Sequence, residues 1–250
     1  LPSREQAGSV MNQPARCAAD LRSGKWLVDD ESNRLTRPAS LAKLMTAYLA
    51  LREIGAGRLS FAQEVIVSDF AASKGGSTAE LQPGQRVTIY DLLAWCFVVS
   101  GNDAATTLAE AVAGDADSFV ERMNETAAEI GLRKTRYGTP SGLKSPGQQT
   151  TARDQVRMGR RLLLDFPVSR QFAALPMVLV GGEPKYNTNR LIGRHPGVVG
   201  LKTGTLRPAT CHLAIFARGR NRAVVGCVMD CNTKAERDEV AAALVDGLLG

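Results

Sequence analysis

Apolar residues recur at Leu41, Leu44, Met45, Tyr48 and Leu51, behind Pro38 and ahead of Gly55 and Gly57, and this spacing predicts a helix over about 39–54. Upstream, 15–21 and 26–28 read as strands joined by a Ser23-Gly24 turn. Residues 58–87 are polar and glycine-rich, with turn signals at Gly75-Gly76 and Pro83-Gly84, which predicts loops with short strands. Helical patterns return over about 88–99, 103–113 and 117–130, the last closed by Gly131. Residues 137–149 read as a loop, and Thr151 with Asp154 forms a capping box that opens a helix to about 164.

Strand-like runs dominate the rest: 177–180, 198–203, 211–217 and 223–229, the last two joined by a basic turn at 219–221. A final helix starts near Thr233, with a capping box to Glu236, and runs to 249. Strands at both ends with helices between them predict an α+β fold, an antiparallel sheet built from both termini and flanked by helices. The sheet part covers approximately 1–38 and 176–250, and a mostly helical part approximately 58–165. With 250 residues, 44% of them hydrophobic, the chain can bury a sizeable core as one catalytic unit, 1–250.

Charge narrows the partners. A net charge of +6 favours anionic partners mildly. Arg153, Arg157, Arg160 and Arg161 form a basic stripe on one helical face, but aromatics are only 5% and none interleave it, so nucleic-acid binding is not expected. No run of 18 apolar residues occurs, and the first ten residues lack the charged and apolar regions of a signal peptide, as in a cytoplasmic protein or a trimmed, mature form. Cys17, Cys96, Cys211, Cys227 and Cys231 show no CxxC pairing, and His195 and His212 lack ligand spacing, so neither a metal site nor a cofactor is expected.

The chemistry gathers in three short motifs. Ser40-Leu41-Ala42-Lys43 opens the first long helix, and positions i and i+3 share a face, which brings the Lys43 amine toward the Ser40 hydroxyl. Serine is a poor nucleophile until a base takes its proton, and lysine serves only when burial or a nearby cation lowers its pKa. Ser100-Gly101-Asn102 lies in the break between two helices, where a hydroxyl can relay protons and an amide can bind a substrate backbone. Lys202-Thr203-Gly204 ends a strand whose cation, hydroxyl and glycine can line a groove, hold a peptide by strand addition and anchor a terminal carboxylate; Lys202 is expected to depress the Lys43 pKa as well. Each motif alone has a plain reading, an N-cap, a helix end or an edge strand; all three in this order do not.

Serine-x-x-lysine, serine-x-asparagine and lysine-threonine-glycine in this order resemble the signature of penicillin-binding proteins. The landmarks RPASLAKLMTAYLAL, GGSTAELQPGQRVTIYDLL, VVSGNDAATTLAE, GLRKTRYGTPSGL, QQTTARDQ, NTNRLI and GLKTGT extend the likeness over nearly the whole chain, and it is to the low-molecular-mass D-alanyl-D-alanine carboxypeptidases. The resemblance implies a penicillin-binding protein/β-lactamase-like fold and a serine-type peptidase acting on peptidoglycan stem peptides that end in D-Ala-D-Ala, acylated by β-lactams. It makes Ser40 the nucleophile, Lys43 its base and Ser100 the proton relay. Asn102 would hold the substrate peptide, Lys202, Thr203 and Gly204 would bind its end, and the backbone amides of Ser40 and Thr205 would form the oxyanion hole. Residue 188 is a threonine where some members carry arginine, which leaves Arg190 or Arg207 for the carboxylate. The chain stops without the all-β domain and amphipathic anchor of many members. Periplasmic location follows, with membrane contact at most peripheral.

Other readings share parts of this pattern. A DD-endopeptidase differs in how bulky an amine-side group its groove admits. A class A β-lactamase needs a glutamate to activate the deacylating water, and between Ser100 and Lys202 only Glu183 is a nearby candidate, outside any ExxLN-like element. A non-catalytic module that binds wall peptides or β-lactams needs no activated nucleophile.

Overall fold

The computed structural model describes residues 13–206 and 210–250. In chain order it contains β1 (Ala15–Asp20), β2 (Trp26–Asp30), a 3-10 turn (Ala39–Ala42), α1 (Lys43–Gly55), β3 (Glu64–Ile66), α2 (Asp69–Ala72), β4 (Arg86–Thr88), α3 (Ile89–Val98), α4 (Asn102–Ala113) and α5 (Ala116–Glu129). Then follow α6 (Ala152–Asp165), α7 (Ser169–Ala174), β5 (Met177–Val180), β6 (Glu183–Tyr186), β7 (Val198–Leu206), β8 (Thr210–Arg218), β9 (Ala223–Cys231) and α8 (Lys234–Leu249).

The main sheet has the order β2-β1-β9-β8-β7 and is antiparallel throughout, so the two ends of the chain do meet in one sheet. One sheet face packs on α8 through Leu213, Ile215, Val224 and Val228. The other shares a core with α1, α3, α4 and α6 that includes Leu41, Leu44, Met45, Leu93, Leu108, Met158 and Phe216. Ten of the 13 residues of α1 are buried, from Lys43 to Glu53, as expected of a helix enclosed on all sides. Strand-forming β-branched residues and helix caps act together here. Thr88, Asp115, Thr151 and Thr233 each accept a backbone N–H in the first turn of α3, α5, α6 and α8.

Four features depart from the sequence reading or add to it. The predicted helix over 39–54 begins as a 3-10 turn, because Ala39 takes a left-handed φ of 49° that an α-helix cannot include. The 177–180 strand has a hairpin partner, β6, made at two glycines with positive φ, and α7 fills the connection after α6. The basic stripe on α6 is spent on contacts within the chain. Arg153 lies 4.2 Å from the Trp26 ring centroid and also pairs with Asp29, Arg157 pairs with Asp154 at 3.0 Å, Arg160 donates to the Leu21 and Arg22 carbonyls, and Arg161 pairs with Asp165. All five cysteines are buried free thiols; Cys17 faces Cys227 and Cys211 faces Cys231 across neighbouring strands. Among the described residues no helix is long and apolar enough to cross a membrane.

Candidate active site

The 3-10 turn delivers Ser40 from the segment that crosses the end of β7, and α1 continues directly into Lys43. Lys43 Nζ lies 3.2 Å from Ser40 Oγ. The amine is fully buried and also donates to Asn102 Oδ1 at 2.7 Å and to the Ser141 carbonyl at 2.8 Å. A neutral amine has two N–H bonds and one lone pair. The two carbonyl oxygens consume the N–H bonds, and the lone pair is left for the serine hydroxyl. Burial pulls the Lys43 pKa down to about 8, against the opposing pull of Cys96 and Asp103.

Lys202 sits on β7, also fully buried, with Nζ donating to the Thr203 carbonyl at 3.1 Å. Its pKa is held well below the usual lysine value, first by burial and then by the Lys43 charge. Burial is the leading cause for both amines, and their mutual repulsion disfavours having both protonated at once. A buried amine of this kind regains its proton when a carboxylate arrives beside it.

Asn102 opens α4, with its amide held at both ends: Oδ1 accepts from Lys43 and Nδ2 donates to the Gly75 carbonyl at 2.7 Å. Ser100 takes a left-handed φ of 64° just ahead of α4, and its buried Oγ has no hydrogen-bond partner among the described residues. Thr203 Oγ1 donates to Thr188 Oγ1 at 2.8 Å, and the Thr188 N–H donates to the Val98 carbonyl at 3.1 Å. This links β7 to the end of α3. Gly204 packs against the 3-10 turn: a Cβ there would stand 3.3 Å from the Pro38 carbonyl and from Ala39 Cβ. Thr205 is exposed on the same strand, and Arg190 is exposed two residues beyond Thr188. Arg207 lies outside the described residues.

Three supporting parts escaped the sequence reading. The Ser141 carbonyl, from the loop over 137–149, is one. Gly142 is the second, because a Cβ on it would fall 1.8 Å from the Ala39 carbonyl; only glycine lets this loop close on the nucleophile turn, and its φ of 81° demands glycine as well. The third is Asp103, buried beside Asn102, whose carboxylate accepts the backbone N–H groups of Ala79, Leu81 and Ala104 and pins the loop before β4 to the start of α4. The SGL and NDA strings hold these residues, but no local spacing relates them to Lys43.

A family profile described as D-alanyl-D-alanine carboxypeptidase matches residues 5–233. The chain is 33% identical over 228 residues to the D-alanyl-D-alanine carboxypeptidase DacF of Bacillus subtilis, covering 90% of this chain and 59% of that protein. It thus spans less than two thirds of the length of the first curated relatives it matches. Penicillin-binding protein 5 from Haemophilus influenzae superposes with a TM-score of 0.90 at 28% identity, over 99% of this chain and 72% of that one. Penicillin-binding protein D2 from Listeria monocytogenes, in its ampicillin-bound form, gives 0.79 at 25% identity, over 96% of this chain and 99% of that one.

Proposed function

Because the chain belongs to the D-alanyl-D-alanine carboxypeptidase family of serine peptidases, we propose that it removes the terminal D-alanine from peptidoglycan stem peptides through a Ser40 acyl-enzyme, and that β-lactams acylate the same hydroxyl. The observation that carries this reading is the buried Lys43 amine, 3.2 Å from Ser40 Oγ, with its N–H bonds directed at two carbonyl oxygens.

Lys43 takes the Ser40 proton as Oγ bonds to the carbonyl carbon of the penultimate residue. The backbone N–H groups of Ser40 and Thr205 receive the oxyanion; one such donor is worth about 100 to 1,000-fold in rate. The C–N bond then breaks, the departing amine takes its proton through Ser100, and D-alanine leaves. Water attacks the ester with the same groups in reverse order. Lys202, Thr203 and Gly204 bind the substrate terminus, Asn102 keeps Oδ1 on Lys43 and offers the second Nδ2 hydrogen to the peptide, and Arg190 or Arg207 adds positive charge for the terminal carboxylate. Residues 1–250 act as one catalytic unit, in the periplasm, with the helical part over 58–165 closing one side of the groove.

The direct test is release of free D-alanine from a pentapeptide ending in D-Ala-D-Ala, set against cleavage of a cross-linked dimer. Pentapeptide turnover with a stable penicillin adduct on Ser40 supports the reading. Turnover confined to the dimer marks an endopeptidase, rapid penicillin hydrolysis a β-lactamase, and absence of any adduct a binding module.

Lys202 has a separate signature. Lys202→Met is expected to keep measurable acylation by an uncharged activated ester while losing at least about tenfold with carboxylate-bearing substrates, since a charge-assisted hydrogen bond is worth about 1.5 to 3 kcal/mol. Equal losses with both ester types sink carboxylate anchoring by Lys202.

A further inference from the structure

His212 lies on β8 directly opposite Gly204 of β7 and is completely buried. The alternation along β8 turns it toward the core that holds the nucleophile, since Ala214 and Phe216 belong to that core and Leu213 and Ile215 to the α8 side. Its Cδ2 stands 3.4 Å from where a Gly204 Cβ would be, the same point that lies 3.3 Å from the Pro38 carbonyl and Ala39 Cβ. The imidazole is therefore packed under the turn that presents Ser40.

The ring is held by a specific partner. Nδ1 accepts the backbone N–H of Asp230 at 3.0 Å, which leaves the single proton of the neutral ring on Nε2. Asp230 adopts a left-handed φ of 63° beside an irregularity in β8-β9 pairing, where the register shifts between Cys211 and Leu213. Aspartate tolerates that conformation better than most residues, and a bulge re-aims backbone groups out of the ladder. The Asp230 carboxylate in turn accepts from Thr36 Oγ1 at 2.7 Å and from the Arg34 guanidinium at 3.3 Å. Thr36 and Arg34 precede the turn by a few residues, and Thr36 exchanges both backbone hydrogen bonds with Thr150. The chain of contacts closes on itself, from β8 through the β9 bulge to the segment over 34–39 and back to the ring.

We propose that His212 and Asp230 form a brace that positions the Ser40 turn for attack, with His212 acting as a positioning residue through the Asp230 hydrogen bond; the catalytic consequence rests on the assignment of Ser40 as nucleophile. The ring stays neutral throughout the working range. Burial lowers its pKa to about 4, and the Arg237 guanidinium from α8 pushes the same way, against Asp230 and the Arg37 and Cys211 backbone groups. A neutral ring with Nδ1 as acceptor is the form the brace requires.

Three substitutions test it. His212→Leu keeps the approximate volume but removes the acceptor, His212→Asn offers Oδ1 to the Asp230 N–H, and Thr36→Val cuts the outer link at a half-buried position where folding is not at risk. With a fluorescent penicillin, His212→Leu is expected to slow the first-order acylation step about 10 to 100-fold while the pre-acylation binding constant changes less than about threefold. His212→Asn should return within about threefold of the parent, and Thr36→Val should slow the same step about threefold to tenfold. Amide hydrogen exchange of peptides covering 34–42 should quicken in His212→Leu and Thr36→Val and be restored in His212→Asn. If all three variants acylate and exchange like the parent, or if the Asn variant is as impaired as the Leu variant, the brace is wrong. Exchange that follows this pattern in a protein which never acylates would keep the brace and reject the nucleophile assignment instead.

Discussion

Ser40→Ala is expected to abolish covalent labelling by a fluorescent penicillin and to stop D-alanine release, with turnover falling by at least about 10⁴-fold. The hydroxyl supplies the atom that forms the acyl bond, and no other side chain stands in its place on Lys43. Folding should survive, because among the described residues Ser40 Oγ is held only by the 3.2 Å contact with Lys43, and one net hydrogen bond is worth about 0.5 to 1.5 kcal/mol. A thermal melt within a few degrees of the parent, together with complete loss of labelling on intact-mass spectrometry, is the predicted pair of results. Label retained in the variant would remove Ser40 from the mechanism.

Lys43→Met should be nearly as severe for acylation. General-base catalysis is commonly worth about 100 to 10,000-fold, and the loss should be the same for every acylating agent, charged or uncharged, in contrast to Lys202→Met. The parent enzyme carries a pH signature of this base. With a Lys43 pKa of about 8, the fraction of free amine rises tenfold per pH unit below that value, so the acylation rate should climb with that slope and level off above pH 8. In the unfolded chain the amine keeps its proton up to the ordinary value of 10.5. Between about pH 8 and 10.5 the unfolded state therefore binds more protons, and the Lys43 contribution makes the fold more stable as pH rises. Replacing this buried amine with an apolar chain removes its desolvation cost but leaves Asn102 Oδ1 and the Ser141 carbonyl unpaired, so the clear signature of Lys43→Met is that its stability loses this rise between about pH 8 and 10.5. A flat pH profile in the parent, or acylation unchanged in the variant, excludes the lysine base.

How much of this was legible without coordinates depends on the distance over which each relation acts. Ser40 and Lys43 could be paired from sequence because three residues along a helical turn are neighbours whatever surrounds them. The caps at Thr151 and Thr233, the strand runs after 177 and the order of the three motifs were local patterns of the same kind, and they carried the fold class and the family resemblance with them. Features that depend on two distant segments were not legible. The left-handed turn at Ala39 packs against the Gly142 loop, 103 positions away in the chain. Asn102 reaches Lys43 across 59 residues and the Ser141 carbonyl across 98, and these contacts set which way the lysine lone pair points. The basic stripe on α6 showed its spacing in the sequence but not its partners, because Trp26, Asp29 and the Leu21 carbonyl arrive from the other end of the chain. Sequence by itself determined which chemical groups are present and which of them share a helical turn, since backbone geometry is the same in every protein. Only the tertiary structure decided how deeply the two lysines are buried and what they touch, because desolvation and hydrogen bonding are properties of the packed core and of no single segment.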